Sequence, residues 1–451
     1  MCGFLYTSFN ISDEQINESE AKVKRRGPDK KVVYRNNGHT YVHYLLHITG
    51  ELTAQPIYNT PKESFLLYNG EVYNYKDLGD YTSDGASILD AYEINGPGGL
   101  RKLDGEFSGI IHDTKKGKII IFRDVFGTKP LYLATDERGW AVASYKSQLN
   151  ALGFNKVMKT PANSIVSIDL ESGTHETDPY KEFSLKQHKN SYDDWRAAFY
   201  ESIKKRTNNT NVKYFIGLSG GYDSGLISAV LSDLKIDFNS YSVKAAEDLD
   251  VMLSRIKLLE HSKLIHLTKE EYENQRQFLL NNCEPFHSKP RRTRTNGYSV
   301  LKDKGAIGTG VICEFAHNDG CRVYISGQGA DEIVSDYGYG GRPAPGFLHS
   351  TIGGKFPENL TSIFPWENFY NGTQEEFLAK DEHVGGTYGL ETRYPFLDFD
   401  LVQEFLWLRA DLKNQRYKAP IDNALKHLSW PMSKGGVFSK VGFRANQKFK
   451  A

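Results

Sequence analysis

The sequence predicts two domains of different class. Residues 1–180 read as an α+β domain of packed antiparallel sheets with helices beside them, and residues 190–451 as an α/β domain built on a doubly wound parallel sheet. Three observations support this. Alternating and β-branched runs crowd the first ~160 residues. A polar stretch without periodicity, residues 178–190, breaks that pattern. Beyond it, buried-strand runs alternate with helical segments, as a parallel sheet requires.

The first domain offers strands at residues 3–9, 40–48 and 64–73, and a hairpin from 106–113 and 118–123 around a Lys-Lys-Gly turn. One helix is expected over residues 13–25, opened by Ser12 and Gln15 as a capping box. In the second domain, Ser191-Tyr-Asp-Asp194 reads as the cap of a helix ending near Arg206. Residues 212–218 form a buried strand, 219–225 a glycine-rich loop and 226–234 a helix. Further strands fall at residues 239–243, 263–267 and 322–326. No long-period repeat or low-complexity tract is present.

With 56 Lys+Arg against 56 Asp+Glu, the formal charge is zero, which argues against a nucleic-acid binder acting through bulk charge. The basic run at residues 289–294 reads as an exposed loop. Nothing approaches the ~20 apolar residues of a membrane helix, and the N-terminus lacks the basic and apolar regions of a signal peptide. The four cysteines, Cys2, Cys283, Cys313 and Cys321, have neither zinc nor disulfide-framework spacing. A cytoplasmic protein is the simplest expectation.

Cys2 directly follows Met1. If Met1 is removed, one residue carries both a thiol and a free α-amine, and the amine can take the thiol proton. Amide hydrolysis through a thioester also needs donors for the oxyanion. Alone, a cysteine at position 2 is more often incidental. Here it is followed in order by Arg26-Gly-Pro-Asp29, Gln55-Pro-Ile-Tyr58, Asn69-Gly-Glu-Val-Tyr-Asn74, Ser83-Asp84 and the run from Arg123 to Tyr132. On these residues the chain resembles the class II glutamine amidotransferases, members of the N-terminal nucleophile hydrolases. The resemblance implies Cys2 as nucleophile, Asn69 and Gly70 as oxyanion hole, and Glu71 and Asp84 around the glutamine α-amino end. Read without it, Asn69-Gly70 is a plain turn dipeptide. Leu45 stands where the family has an arginine for the glutamine α-carboxylate. His47 is nearby, but a lone strand histidine is more often satisfied by local hydrogen bonds.

In the second half, Ser219-Gly-Gly-Tyr-Asp-Ser224 lies between a strand and a helix. Glycines let the backbone approach phosphate oxygens, while amides and a helix start supply partial positive charge. No lysine follows the glycines, so this is not the common P-loop. Asp223 would repel phosphate directly and is suited to Mg²⁺. A second loop, Ser326-Gly-Gln-Gly-Ala-Asp-Glu332, again follows a strand. Leu390-Glu-Thr-Arg-Tyr-Pro-Phe-Leu-Asp398 and Lys418 come later. Taken alone, Lys418 reads as a solvated surface residue.

Together these motifs resemble the glutamine-hydrolysing asparagine synthetases over residues 1 to roughly 440. The resemblance implies an ATP pyrophosphatase loop and a carbon–nitrogen ligase of the asparagine synthase (glutamine-hydrolysing) type. It makes Asp223 and Asp331 the Mg²⁺ ligands and Lys418 the neutraliser of phosphate charge. Leu218, Ser219, Gly220, Gly221, Asp223, Ser224, Val243, Ser326 and Gly327 are the expected ATP-binding residues, with Leu218 and Val243 beside the adenine. The expected partners are the small molecules glutamine, ATP and a carboxylate acceptor such as aspartate, with no nucleic acid and no membrane. A homodimer is compatible with this reading. Two departures stand out. Gln328 replaces a glutamate assigned a base role, and a carboxamide cannot accept a proton. Residues 285–320 match the aspartate-side helix poorly. Three readings follow: asparagine synthesis, the same chemistry on another carboxylate, and a non-catalytic nucleotide-binding homologue.

Overall fold

Strands of the first 179 residues pair antiparallel in two six-stranded sheets. The computed structural model of the chain describes residues 2–208, 212–244, 249–288, 298–299, 303–344 and 349–433. The basic run at 289–294 lies outside them. One sheet runs in the order Val157–Lys159, Tyr132–Asp136, Gly139–Ala143, Gly3–Thr7, His39–Leu45, Lys30–Asn36. The other runs His175–Pro179, Ser164–Asp169, Lys118–Arg123, Gly105–Asp113, Ser64–Val72, Ile57–Tyr58.

Side chains alternate across a strand, so each sheet buries two faces. Phe4 and Tyr6 pack between the sheets against Phe65, Leu67, Ile110 and Ile119. Leu5, one residue out of phase, packs the other way with Ile16, Val23 and Leu149 of the helical layer. The second sheet sends Leu66, Ile111 and Ile120 outward to Ile88 and Leu89 of helix Asp84–Asn95. The result is a four-layer helix–sheet–sheet–helix sandwich.

The Ser12/Gln15 capping box is present, but the helix expected over residues 13–25 is two short helices, Asp13–Ser19 and Val23–Arg26. Side chains at the break are held elsewhere: the Ser19 hydroxyl donates back to Ile16 O, and the Glu20 carboxylate accepts from Tyr44 Oη and Lys31 Nζ. Asn69-Gly70 is not a turn; both residues lie inside strand Ser64–Val72, paired with Ser108 and Phe107.

The second sheet system is fully parallel, in the order Ser262–Ile265, Phe238–Val243, Lys213–Gly217, Cys321–Ile325, Glu391–Arg393. The chain winds to one side of Lys213–Gly217 for two strands and then returns to its other side. That reversal opens a crevice at the carboxyl ends of Lys213–Gly217 and Cys321–Ile325. Helix Tyr222–Asp233 begins four residues earlier than residue 226, so Asp223 sits in a helical first turn. Strand Glu391–Arg393 lies within the Leu390–Asp398 motif, whose mixed polar composition carries no strand signal. The antiparallel and parallel halves share apolar contacts, with Phe126 packing on Phe369 and Tyr370. No helix among the described residues is long and apolar enough to cross a membrane.

Candidate active sites

Cys2 precedes strand Gly3–Thr7 and is half-buried. Its backbone carbonyl accepts from Arg26 Nε at 2.7 Å, and its Sγ lies 3.7 Å from Leu46 O. Burial pushes the thiol up to about 11, so a partner for its proton is a chemical necessity. Gly27 of the Arg26-Gly-Pro-Asp29 motif has no room for a side chain: a Cβ there would lie 2.1 Å from Tyr44 O.

Asn69 is fully buried, and neither Oδ1 nor Nδ2 has a hydrogen-bond partner among the described residues. A buried carboxamide left unsatisfied is costly and calls for an explanation. Gly70 has φ +128°, and a Cβ would meet Glu106 O at 1.9 Å. Asp84 is buried; its carboxylate accepts from Tyr68 Oη at 2.7 Å and Val72 N at 3.0 Å. Burial pushes Asp84 up to about 6. Glu71 is buried with Oε1 3.2 Å from an Arg393 nitrogen, an ion pair that reaches across from the parallel half. Glu71 and Cys2 lie within electrostatic reach of each other, as do Glu71 and Asp84. Leu45 is buried, and His47 Nε2 is engaged with Gly50 O at 2.9 Å. Neither supplies a cation to this cluster.

In the crevice, Ser219 organises the first loop. Its Oγ accepts from Gly221 N at 3.1 Å and lies 2.9 Å from Ser224 Oγ. Arg255, a buried residue the sequence did not single out, donates NH1 to Ser219 O at 2.6 Å and Gly221 O at 2.7 Å. The carbonyls are held from behind, while the Ser219 and Gly221 amides are held within the loop by Ser224 Oγ and Ser219 Oγ. Gly225 makes room for Arg255: a Cβ there would meet Arg255 NH2 at 2.4 Å. The nearest signal in sequence was Gly225, the last residue of the loop. Leu218 and Val243 end adjacent strands with both side chains buried, and the Leu218 carbonyl accepts from Ser242 Oγ at 2.8 Å.

The two loops touch. A Cβ on Gly327 would lie 3.1 Å from Asp223 Cβ. Lys418 is buried, and its Nζ reaches Asp223 Oδ1 at 2.6 Å and Asp331 Oδ1 at 2.7 Å. Tyr417 Oη donates to the same Asp331 oxygen at 2.8 Å. Lys418 thus sits inside the crevice rather than on a solvated surface. Its backbone has φ +48°, an uncommon and strained conformation for a non-glycine residue. Two carboxylates at one crevice suit Mg²⁺, which is commonly held by one or two carboxylates plus substrate phosphates. Among the described residues there is no cluster of three or more His, Cys, Asp or Glu that would form a dedicated metal cage.

Helix Gly372–Thr387 joins the two regions. Its Glu382 lies 2.5 Å from Arg26, 3.0 Å from Lys129 and 3.0 Å from Tyr394 Oη. Its Asp381 accepts from Ser326 Oγ at 2.7 Å.

A family model described as glutamine amidotransferase domain matches residues 1–172, and one described as asparagine synthase matches residues 194–381. A putative asparagine synthetase [glutamine-hydrolyzing] 1 of Methanocaldococcus jannaschii is 28% identical over 404 residues, covering 82% of this chain and 69% of that protein. Asparagine synthetase B [glutamine-hydrolyzing] of Escherichia coli K12 is 26% identical over 481 residues, covering 100% of this chain and 82% of that protein. Among solved structures, a glutamine phosphoribosylpyrophosphate amidotransferase from B. subtilis aligns at TM-score 0.35 and 10% identity, over 99% of this chain and 98% of that one, too loosely to argue from.

Proposed function

Since this chain belongs to the glutamine-hydrolysing asparagine synthetase family, we propose that it makes asparagine from aspartate, ATP and glutamine through an acyl-adenylate, releasing AMP, pyrophosphate and glutamate. In this reading the glutaminase is residues 1–180 and the synthetase residues 190–451. With Met1 removed, the Cys2 amine takes the thiol proton and the sulfur attacks the glutamine amide carbonyl. Asn69 Nδ2 and the Gly70 amide hold the oxyanion. Asp84 and Glu71 receive the α-amino end. Ammonia leaves, and water releases glutamate from the thioester. In the crevice, the aspartate carboxylate attacks the α-phosphorus of ATP and pyrophosphate departs. Ser219, Gly220, Gly221, Ser224, Ser326 and Gly327 line the phosphate site, with Leu218 and Val243 beside the base. Lys418 offsets the charge on the phosphates. Asp223 and Asp331 would hold Mg²⁺, which when bound supplies charge neutralisation on the leaving pyrophosphate. Ammonia then displaces AMP.

The observation that carries this reading is the meeting of Asp223, Asp331 and a buried, strained Lys418. A cation held between two carboxylates beside a phosphate-binding loop suits neutralisation of charge as pyrophosphate leaves. The test is a product balance with the full chain, aspartate, ATP and ammonium. AMP, pyrophosphate and amide are expected in equal amounts, falling sharply in Asp223→Asn and Asp331→Asn. Release of ADP and phosphate rejects the reading. AMP formation that needs a different carboxylate moves the acceptor and keeps the chemistry.

A further inference from the structure

Gln328 is half-buried in the second loop and can only donate or accept hydrogen bonds, never take a proton at ordinary pH. Directly behind it is a carboxylate. Asp381 is 2% exposed; it accepts from Ser326 Oγ at 2.7 Å, and the Gln328 side chain lies within polar reach of the same carboxyl. Its helix carries the neighbouring carboxylate, Glu382, toward Arg26 and the Cys2 region. Successive helical residues diverge by roughly 100°. One carboxylate therefore faces the side where ammonia is released, and the next faces the loop where it is consumed.

We propose that Asp381 is the group that takes the proton from ammonia as it attacks the activated carboxylate, the task Gln328 cannot perform. This rests on the synthetase reading above. The nitrogen lone pair forms the C–N bond to the acyl carbon. The C–O bond to the adenylate breaks, and its electron pair leaves with AMP. One N–H proton passes to an Asp381 oxygen, and the product is a neutral amide. The proton is later lost to solvent.

The surroundings suit this task. Burial pushes Asp381 up to about 6, against the pull of Lys380 and the Ser326 hydroxyl. A proton acceptor is most effective when its pKa lies near the working pH. Lys380 and Glu382 act on it from its own helix, Tyr324 from strand Cys321–Ile325, Cys313 from helix Lys304–Asn318, and Tyr394 from beyond strand Glu391–Arg393. Lys380 is the cation in that set.

The experiment compares the full chain with Asp381→Asn, Asp381→Glu and the double variant Asp381→Asn/Gln328→Glu. Two rates are followed at constant free ammonia: aspartate-dependent exchange of pyrophosphate into ATP, which reads adenylation, and amide formation. Asp381→Asn should keep exchange within about twofold while amide formation falls on the order of 100-fold. The parent's amide-forming rate should fall as pH drops through about 6. Asp381→Asn should lose that limb, and Asp381→Glu and the double variant should regain rate. Amide formation near the parental rate in Asp381→Asn overturns the proposal. So does a parallel loss of exchange and amide formation that Asp381→Glu does not repair, since that marks a merely structural role. A parent profile without a limb near pH 6 also overturns it, whatever the fate of the variants. Absence of any exchange in the parent is a different failure, that of the synthetase reading itself.

Discussion

Asn69 is buried with an unsatisfied carboxamide, the state expected of a donor that waits for a charge to develop. Removing one such donor typically costs about 100- to 1,000-fold in turnover. Asn69→Ala should therefore lower glutamine hydrolysis by that order and leave ammonium-driven synthesis intact; equal loss of both, measured side by side, would show a structural role instead. Cys2→Ala should separate the same two activities completely, and intact mass of active protein should lack one methionine. Leu45 is a different kind of residue. It is buried, His47 is already engaged, and the cation beside Glu71, Arg393, is bonded to Glu391 Oε1 at 2.7 Å and Arg206 O at 2.7 Å. A missing charge-assisted contact is worth about 1.5–3 kcal/mol. Glutamine should bind weakly and ammonium should compete well as nitrogen source. Leu45→Arg should lower the glutamine KM. A parent constant already in the low micromolar range would show that another cation does this work.

At the scale of elements, the two loops are set by what lies behind them. Gly329 has φ +94°, and a Cβ would fall 2.4 Å from Leu397 Cδ2 in the Leu390–Asp398 segment. That segment also accepts from Ser326 N through Arg393 O at 2.9 Å. It acts as the backing of the second loop. Arg255 is the backing of the first. Arg255→Met removes both hydrogen bonds to the loop's carbonyls, each worth about 1.5–3 kcal/mol when the donor is charged, along with one to Pro431 O. The ATP KM should rise at least about tenfold, with glutaminase kinetics unmoved. An unchanged KM would mean that Ser219 and Ser224 hold the loop unaided.

Across the whole molecule, Glu382 ties the halves together through Arg26 and Lys129. Taking one partner from a buried ion pair costs roughly 3–5 kcal/mol. Glu382→Ala should lose that much in denaturant unfolding, and its glutamine-driven synthesis should fall further than its ammonium-driven synthesis. A variant as stable as the parent would show that the network is replaceable. Acid sensitivity is a second property of the whole. Burial pushes His43 and His112 down to about 3, below the ordinary histidine value. The unfolded chain takes up these protons below pH ~6.5 while the folded one resists, so stability is lost as pH falls from there, by about 1.4 kcal/mol per pH unit for each ring. Asp84 and Asp381, held up at about 6, bind protons in the folded state and offset part of that loss below pH 6. Neither His43 nitrogen has a hydrogen-bond partner among the described residues. His43→Leu should flatten the acid limb of a stability–pH curve, and a curve parallel to the parent's would show that His43 is not buried in its neutral form.

The sequence by itself determined the two fold classes, because alternation and buried apolar runs are local signals of which faces must leave water. It also pointed to the two loops, through glycines at residues 220, 221, 327 and 329 placed just after buried strand runs. Tertiary structure decided the rest. Asn69-Gly70 reads locally as a turn, yet pairing with Phe107 and Ser108 keeps it in a strand. Lys418 reads as a surface lysine, yet it is buried between Asp223 and Asp331, residues 195 and 87 positions away in the chain. Arg255 and Asp381 carried no motif at all. Their positions come from the packing of helix Leu249–Ile256 behind the first loop and from a helix that contacts both halves. Such long-range juxtapositions cost chain entropy and are repaid only by packing of the whole core, so no window of sequence can display them.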